Sequence, residues 1–177
     1  MWAKRLICRI QSLIVTLLTT IRAATCSGDA LDTWFADFGF MREGATYSTG
    51  PVTFSRFTAS YQAVIPVGST VTTTDGTQSF LVLADTTNPA YSASLGGYVV
   101  AAGVASVTVT VQAVTAGSAG NVSAGSISVI SGGIQYIDTV TNTNAFTNGS
   151  DAETDDNARA RFRLWISHQW KGYKWHT

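Results

Sequence analysis

Apolar positions change their period twice along this 177-residue chain, and the changes divide it into three zones. Leu6, Ile10, Leu13, Leu17 and Ile21 recur at three- and four-residue steps, the spacing of a single helical face. After a break near Ser27 and Gly28 the same spacing resumes with Leu31, Trp34, Phe35 and Phe38, with Asp29 placed to cap the start and Gly39 to close the end. From Val52 to Val140 the helical period disappears. Thr, Ser, Val, Ala and Gly take over, and β-branched residues alternate with small or polar ones, the pattern of antiparallel strands with one face in a core. Asp75-Gly76 between Thr70–Thr74 and Thr77–Leu83 predicts a hairpin, because this dipeptide supplies the positive φ angles of a tight turn. Val107, Val109 and Val111 alternate with threonines and predict a strand with valines on one face and hydroxyls on the other. Gly117, Gly120 and Gly125 then punctuate a loop, where Asn121 also tolerates a left-handed backbone, before Ile127–Ile130 resumes as a strand.

In the last zone Ser150 and Glu153 stand at capping-box spacing and predict a helix. On it Ala158, Phe162 and Trp165 share one face, and Asp155, Arg159 and Arg163 form a charge ladder on another. The expectation is an α+β chain: an N-terminal helical segment over 1–41, a β-rich domain of mostly antiparallel strands over 42–149, and a capped C-terminal helix with an atypical tail over 150–177. No repeat of fixed period is visible, which argues against a solenoid or propeller.

Composition sharpens this picture at two points. A 45% hydrophobic content can bury one main core with a small helical annex. The charges balance at 11 basic and 11 acidic residues, but unevenly. No Lys or Arg lies between Arg56 and Arg159, whereas Asp75, Asp85, Asp138, Asp151, Glu153, Asp155 and Asp156 all do. A reader of nucleic-acid phosphates needs the opposite sign, so no nucleic-acid partner is expected.

The N-terminus superficially resembles a signal peptide, with Lys4, Arg5 and Arg9 before the apolar run Leu13–Leu18 and then Ala23, Ala24 and Cys26. Gln11 and Ser12 interrupt that run, Arg22 sits where a cleavage region is neutral, and nothing reaches the roughly 18 apolar residues of a spanning helix. Residues 23–25 do not suit a lipoprotein cysteine at 26. An amphipathic helix packed on a neighbour is the plainer reading, without membrane insertion. Cys8 and Cys26 have no Cys or His at metal-ligand spacing and read as small hydrophobes.

A search for chemistry finds little. Asp151, Glu153, Asp155 and Asp156 imitate the start of a calcium loop, but the required glycine position holds Asp156 and the bidentate acid position holds Phe162. Stabilisation of a helix N-terminus explains the same acids. His168 and His176 fall in the last ten residues, and no nucleophile elbow, phosphate loop or dinucleotide fingerprint is present. Two carboxylates meeting in a cleft to cleave sugars remains an open alternative. Asn121-Val122-Ser123 and Asn148-Gly149-Ser150 match the glycan-acceptor pattern, which matters only for a chain secreted by a eukaryote.

One ordered series is more specific. Gly117-Ser118-Ala119-Gly120-Asn121-Val122-Ser123-Ala124-Gly125-Ser126-Ile127 resembles the G-x-x-G-N-V-x-A-G-x-I signature of the baseplate J-like family. Val140-Thr141-Asn142, Ala145, Asn148-Gly149, Asp151-Ala152-Glu153, Arg159 and Arg161 follow in that family's order. Upstream, Thr49-Gly50, Val52, Phe54, Arg56, Ile65-Pro66-Val67-Gly68, Asp75-Gly76 and Phe80 also fall in its sequence, so the matches run from about 28 to 162.

The resemblance implies a non-enzymatic wedge component of a contractile-tail baseplate from a phage, prophage or related injection device. It implies no cofactor, metal or catalytic residue. Gly117, Gly120, Asn121, Gly125, Asn142, Gly149, Asp151, Glu153, Arg159 and Arg161 become scaffold positions. Partners would be other wedge and hub proteins, with self-association in a symmetric assembly. The location would be the virion tail baseplate, assembled in the bacterial cytoplasm. Family members usually continue beyond the R-x-R helix, and residues 168–177 do not resemble that continuation, so an incomplete copy is expected. The alternative is a secreted β-rich adhesin, favoured if mature protein begins after Cys26.

Overall fold

The computed structural model describes residues 6, 7, 9–11, 13, 14 and 24–171, and these divide into two compact units, each with its own core. Cys8, Leu17, Ile21, most of the signal-like segment and His176 lie outside the described residues.

One unit spans Ala45–Ala152. Its strands are β1 (Thr49–Ser55), β2 (Ala63–Pro66), β3 (Thr70–Thr73), β4 (Ser79–Val82), β5 (Tyr91–Ser92), β6 (Gly97–Val100), β7 (Ser106–Ala113), β8 (Ile127–Ser131) and β9 (Thr139–Thr141). Six form an antiparallel sheet in the order β8-β3-β4-β7-β1-β9, and β2-β6-β5 form a smaller one. Alternation decides which side chains go inward: Val52 and Phe54 of β1 and Val109 and Val111 of β7, with Val52 directly opposite Val109, joined by Val71, Phe80, Val82, Ile127 and Val140. The outward threonines pair across strands, Thr53 with Thr108 at 3.0 Å. The hairpin forms where Asp75-Gly76 predicts it, with Thr72 opposite Ser79 and Gly76 at φ 69°. Its loop is wider than a two-residue turn, because Thr73 donates its backbone N–H to Gln78 and its hydroxyl to Asp75 at 2.5 Å. Tyr98 is the largest fully buried side chain, its hydroxyl donating to Leu83 O (2.6 Å) and accepting from Asp85 N (2.9 Å).

The other unit combines 1–44 with 153–177. The described residues 6, 7, 9–11, 13 and 14 are helical, and two further helices are α1 (Gly28–Ala36) and α2 (Asp155–Lys171). Gly39, at φ 72°, closes α1: Gly39 N–H bonds Ala36 O and Phe40 N–H bonds Phe35 O, the paired bonds of a Schellman stop. The start differs from expectation. Ser27 takes the cap position without a side-chain bond, and the Gly28 N–H is met by the carboxylate of Asp155 at 3.1 Å, not by Asp29. Leu31, Trp34, Phe35, Phe40, Ala158 and Phe162 form the core, and the Phe162 ring lies 4.9 Å from both Trp34 and Phe35 and 5.2 Å from Phe40.

The capping box is also displaced. Helix α2 starts at Asp155, and Thr154 Oγ1 accepts from Asn157 N at 3.3 Å. Ser150 does not cap, because it pairs with Thr46 in an antiparallel bridge, hydroxyl to hydroxyl at 2.9 Å. The charge ladder is tightest at Arg159–Asp156 (2.7 Å), with Asp155 at 3.9 Å, and Arg163 is exposed. Among the described residues no helix is long and apolar enough to cross a membrane.

Candidate functional site

The motif residues of the β-rich unit converge on the segment 117–127. Gly117 adopts φ 130°, open in practice to glycine, and a Cβ there would stand 2.8 Å from Asp151 Oδ1. That closeness has a purpose: Asp151 accepts from the backbone N–H and the hydroxyl of Ser118 at 2.7 and 2.6 Å, capping the single 3₁₀ turn Ser118–Gly120. The Ser118 hydroxyl first, and then its amide, hold the Asp151 carboxyl below its ordinary value.

Asn121 is extended (φ −77°), not left-handed as its type allows. The extended backbone presents its side-chain amide flat to Gly149, donating to Gly149 O (2.9 Å) and accepting from Gly149 N (2.8 Å), a two-point pairing that mimics one rung of a strand ladder. Gly149 must lack a side chain, since a Cβ would lie 2.5 Å from Gly117 O. Gly120 packs against Ala113 and Ser48, and Gly125 turns the chain at φ 73°.

Asn142 does the analogous job at the sheet's open seam. Strands β8 and β9 are the two ends of the six-stranded order, yet they approach one another. Asn142, fully buried, bridges them: its Oδ1 accepts from Ile127 N (2.9 Å), and its Nδ2 donates to Ser123 O (2.8 Å) and Asn144 O (3.0 Å). Its own carbonyl accepts from Gly125 N at 2.7 Å. One side chain thus supplies the hydrogen bonds of a missing strand pair, and the sheet curls into a nearly closed barrel.

The other motif residues belong to the helical unit. Glu153 accepts from Arg161 through Nε and Nη2 at 2.8 and 2.7 Å, a bidentate pair, and from Glu43 N at 3.2 Å. Arg161 also donates to Met41 O (2.7 Å) and stacks over the Phe40 ring at 4.2 Å. Arg159 ties Cys26 O at 2.7 Å. Arg161 lowers the Glu153 carboxyl, and Arg42, followed by the Gly28 amide, lowers Asp155. Arg42 links Asp32 and Asp155, each at 2.7 Å.

Two independent observations now bear on identity. The family model described as Baseplate J-like protein barrel domain matches residues 51–149, the stretch in which these glycine, asparagine and strand positions close the barrel. The chain belongs to the baseplate J-like family. A chain of the six-fold symmetrised cryo-EM structure of the anti-feeding prophage baseplate is similar to it, with a TM-score of 0.55 and 14% identity over 95% of this chain and 49% of that one. The J-like chain therefore spans about half the length of this structural relative, and at that identity the likeness speaks for the fold. No curated protein matches by sequence.

Chemically the J-like network is inward-looking. Asn121 and Asn142 spend their side-chain polar atoms on backbone groups of their own unit, and Asp151 spends its own on the amide and hydroxyl of Ser118. A shallow groove between the hairpin tip and the glycine loop is lined by Thr74, Thr77, Gln78, Asn121 and Ser123, with Asp75 its one ionisable residue. Thr73, followed by Thr77, occupies that carboxylate and lowers its pKa. The groove therefore does not bring two carboxylates together. Among the described residues no cluster of His, Cys, Asp and Glu could hold a metal ion. Thr46, Ser118 and Thr154 join the network without a signal of that role in the sequence. Asn148 stands in the family series and in an acceptor-like triplet, neither of which names its partner, and its amide is engaged with Thr49 N (2.9 Å) and Thr49 Oγ1 (2.8 Å).

Proposed function

We propose that the chain acts as a wedge component of a contractile-tail baseplate in a phage or prophage, working through contacts with other wedge and hub proteins and with copies of itself. The barrel-domain match over residues 51–149 carries the reading. The internal geometry supports it: a scaffold position is one whose polar atoms fix backbone, and Gly117, Gly120, Asn121, Gly125, Asn142, Gly149 and Asp151 hold the barrel while Glu153, Arg159 and Arg161 hold the helices. A rigid block keeps its contact faces in register, so that binding energy between subunits can select one packing of the plate over another. No cofactor enters this work. Assembly would take place in the bacterial cytoplasm and the product would sit in the virion tail baseplate.

The test is deletion of the gene in a strain that produces tails, followed by electron microscopy and mass spectrometry of purified particles. The chain is expected in the baseplate fraction, and its loss should leave tails without baseplates. Recovery solely as an exported protein beginning after Cys26, with tails intact, would overturn the reading in favour of an adhesin.

A further inference from the structure

We propose that the aromatic loop end of the barrel docks the N-terminal helix of a second copy of this chain. The inference rests on the reading of the chain as a building block of a symmetric assembly and adds the surface and the partner. The platform consists of Phe57, Tyr61 and Tyr136, which are 85%, 64% and 44% exposed, an unusual concentration of large apolar side chains at loop tips. It is held rigid from below. Arg56, only 5% exposed, donates to Val104 O (2.8 Å), Ala101 O (2.6 Å) and Tyr61 O, stitching the loop after β1 to the loop before β7. Asp138 accepts from Phe57 N at 2.7 Å and anchors the third loop. Tyr136 is the one non-glycine residue at positive φ (64°) among the described residues, and that conformation stacks its ring on Tyr61 at 5.2 Å. Strain kept at an exposed aromatic is typical of contact sites, and a pre-ordered platform loses little entropy on binding.

Charge selects the occupant. Residues 45–152 carry four Asp and one Arg, and that Arg is sealed among carbonyl oxygens, so the accessible ionic surface of the barrel is acidic only. The remainder of the chain carries ten basic and seven acidic residues. Its N-terminal segment offers what the platform lacks: Leu6, Ile7, Ile10, Leu13 and Ile14 are helical and exposed, with Arg9 among them and Lys4 and Arg5 adjacent in sequence. A basic helix with an uncovered apolar stripe complements an acidic unit with an uncovered aromatic platform. Because the two faces differ, the contact is head-to-tail, the kind that closes into a ring when the rotation permits.

Sedimentation of the full chain and two variants tests this. Wild type is expected to self-associate with rising concentration, and added salt should weaken the association. Ile10→Asp with Leu13→Asp should remain monomeric, as should Phe57→Ser with Tyr61→Ser. All four sites are exposed, so circular dichroism of each variant should match wild type. An equimolar mixture of the two variants retains one intact helix and one intact platform per pair, and should form dimers and nothing larger. A wild type that stays monomeric at millimolar concentration, a variant that still associates, or a mixture that fails to pair would overturn the contact. Recovery of the chain in purified tails does not depend on it, so the baseplate reading stands or falls separately.

Discussion

The barrel and the helical unit are held together by different physics. Among the described residues every ion pair lies in the helical unit, where Arg42, Arg159 and Arg161 meet Asp32, Glu43, Glu153, Asp155 and Asp156 around a cluster of aromatic rings. The barrel has a β-branched core, one sealed cation, and loops fixed by amides and hydroxyls acting on backbone. Charge pairs tolerate long reach and respond to salt, whereas an asparagine bonded at both ends fixes position and responds to neither salt nor mild pH change. A unit that must keep a binding surface in register gains from the second arrangement.

The sharpest way to separate the two is Phe162→Ala. Phe162 touches most of the rings in its core, so truncation should cost about 3–5 kcal/mol. Hydrogen exchange followed by mass spectrometry should show lost protection in α1 and α2 while peptides from β1, β4 and β7 keep theirs. Equal loss in both would mean that the units fold as one and would end the comparison.

Asn142→Ala is the matching break in the barrel. It leaves the buried Ile127 N–H and the Ser123 and Asn144 carbonyls without their partner, a cost of roughly 2–4 kcal/mol. Protection should fall first in β8 and β9, with the helical unit unchanged. Asn142→Asp keeps the acceptor for Ile127 but turns a buried carboxylate toward the Ser123 and Asn144 carbonyls, so at neutral pH it should cost at least as much as the Ala variant, and acid that protonates the new carboxyl should restore part of the loss.

What was legible in the sequence follows the same division between near and far. The Asp75-Gly76 hairpin, the valine alternation of β7 and the Gly39 stop are local, each written within a few residues, and each forms. The pairing of Gly28 with Asp155 spans 127 positions and that of Asn121 with Gly149 spans 28. Period and propensity carry no information about such partners. Ser150 shows how a local signal is overridden: its spacing to Glu153 fits a capping box, but Thr46 claims its hydroxyl and the helix waits for Thr154. The family series marked Asn121 and Asn142 without revealing that both replace ladder bonds, and Arg56 was visible as an isolated cation, not as the pin of two loops.

Tyr98→Phe probes a single buried polar group. Its hydroxyl bridges Leu83 O and Asp85 N, so its loss should cost about 1–2 kcal/mol, read from urea unfolding. Burial raises the Tyr98 pKa, which means the folded barrel holds that proton more tightly than the unfolded chain does. Its contribution is complete below the ordinary tyrosine range and is lost as pH rises through the higher folded value. Wild type should therefore lose stability in alkali more steeply than the Phe variant.

The mildest test is acid with and without salt. In the helical unit Arg161 lowers Glu153 and Arg42 lowers Asp155, while in the barrel the Ser118 and Thr87 hydroxyls lower Asp151 and Asp85. All four folded values lie below the unfolded ones, so the unfolded chain takes up protons first as pH falls. The stabilisation is present above the ordinary carboxylate range and is lost as pH drops through the lower folded values. Both units should therefore weaken in acid. Only the helical unit owes its shifts to opposite charges, so only there should added salt at neutral pH erode stability, and only slightly, because solvent already screens the exposed pairs. Exchange protection compared at low and high salt should fall in α1 and α2 and stay constant in β1 and β7. A salt response in the barrel of equal size would show that its anchoring bonds carry more charge than their neutral donors can supply.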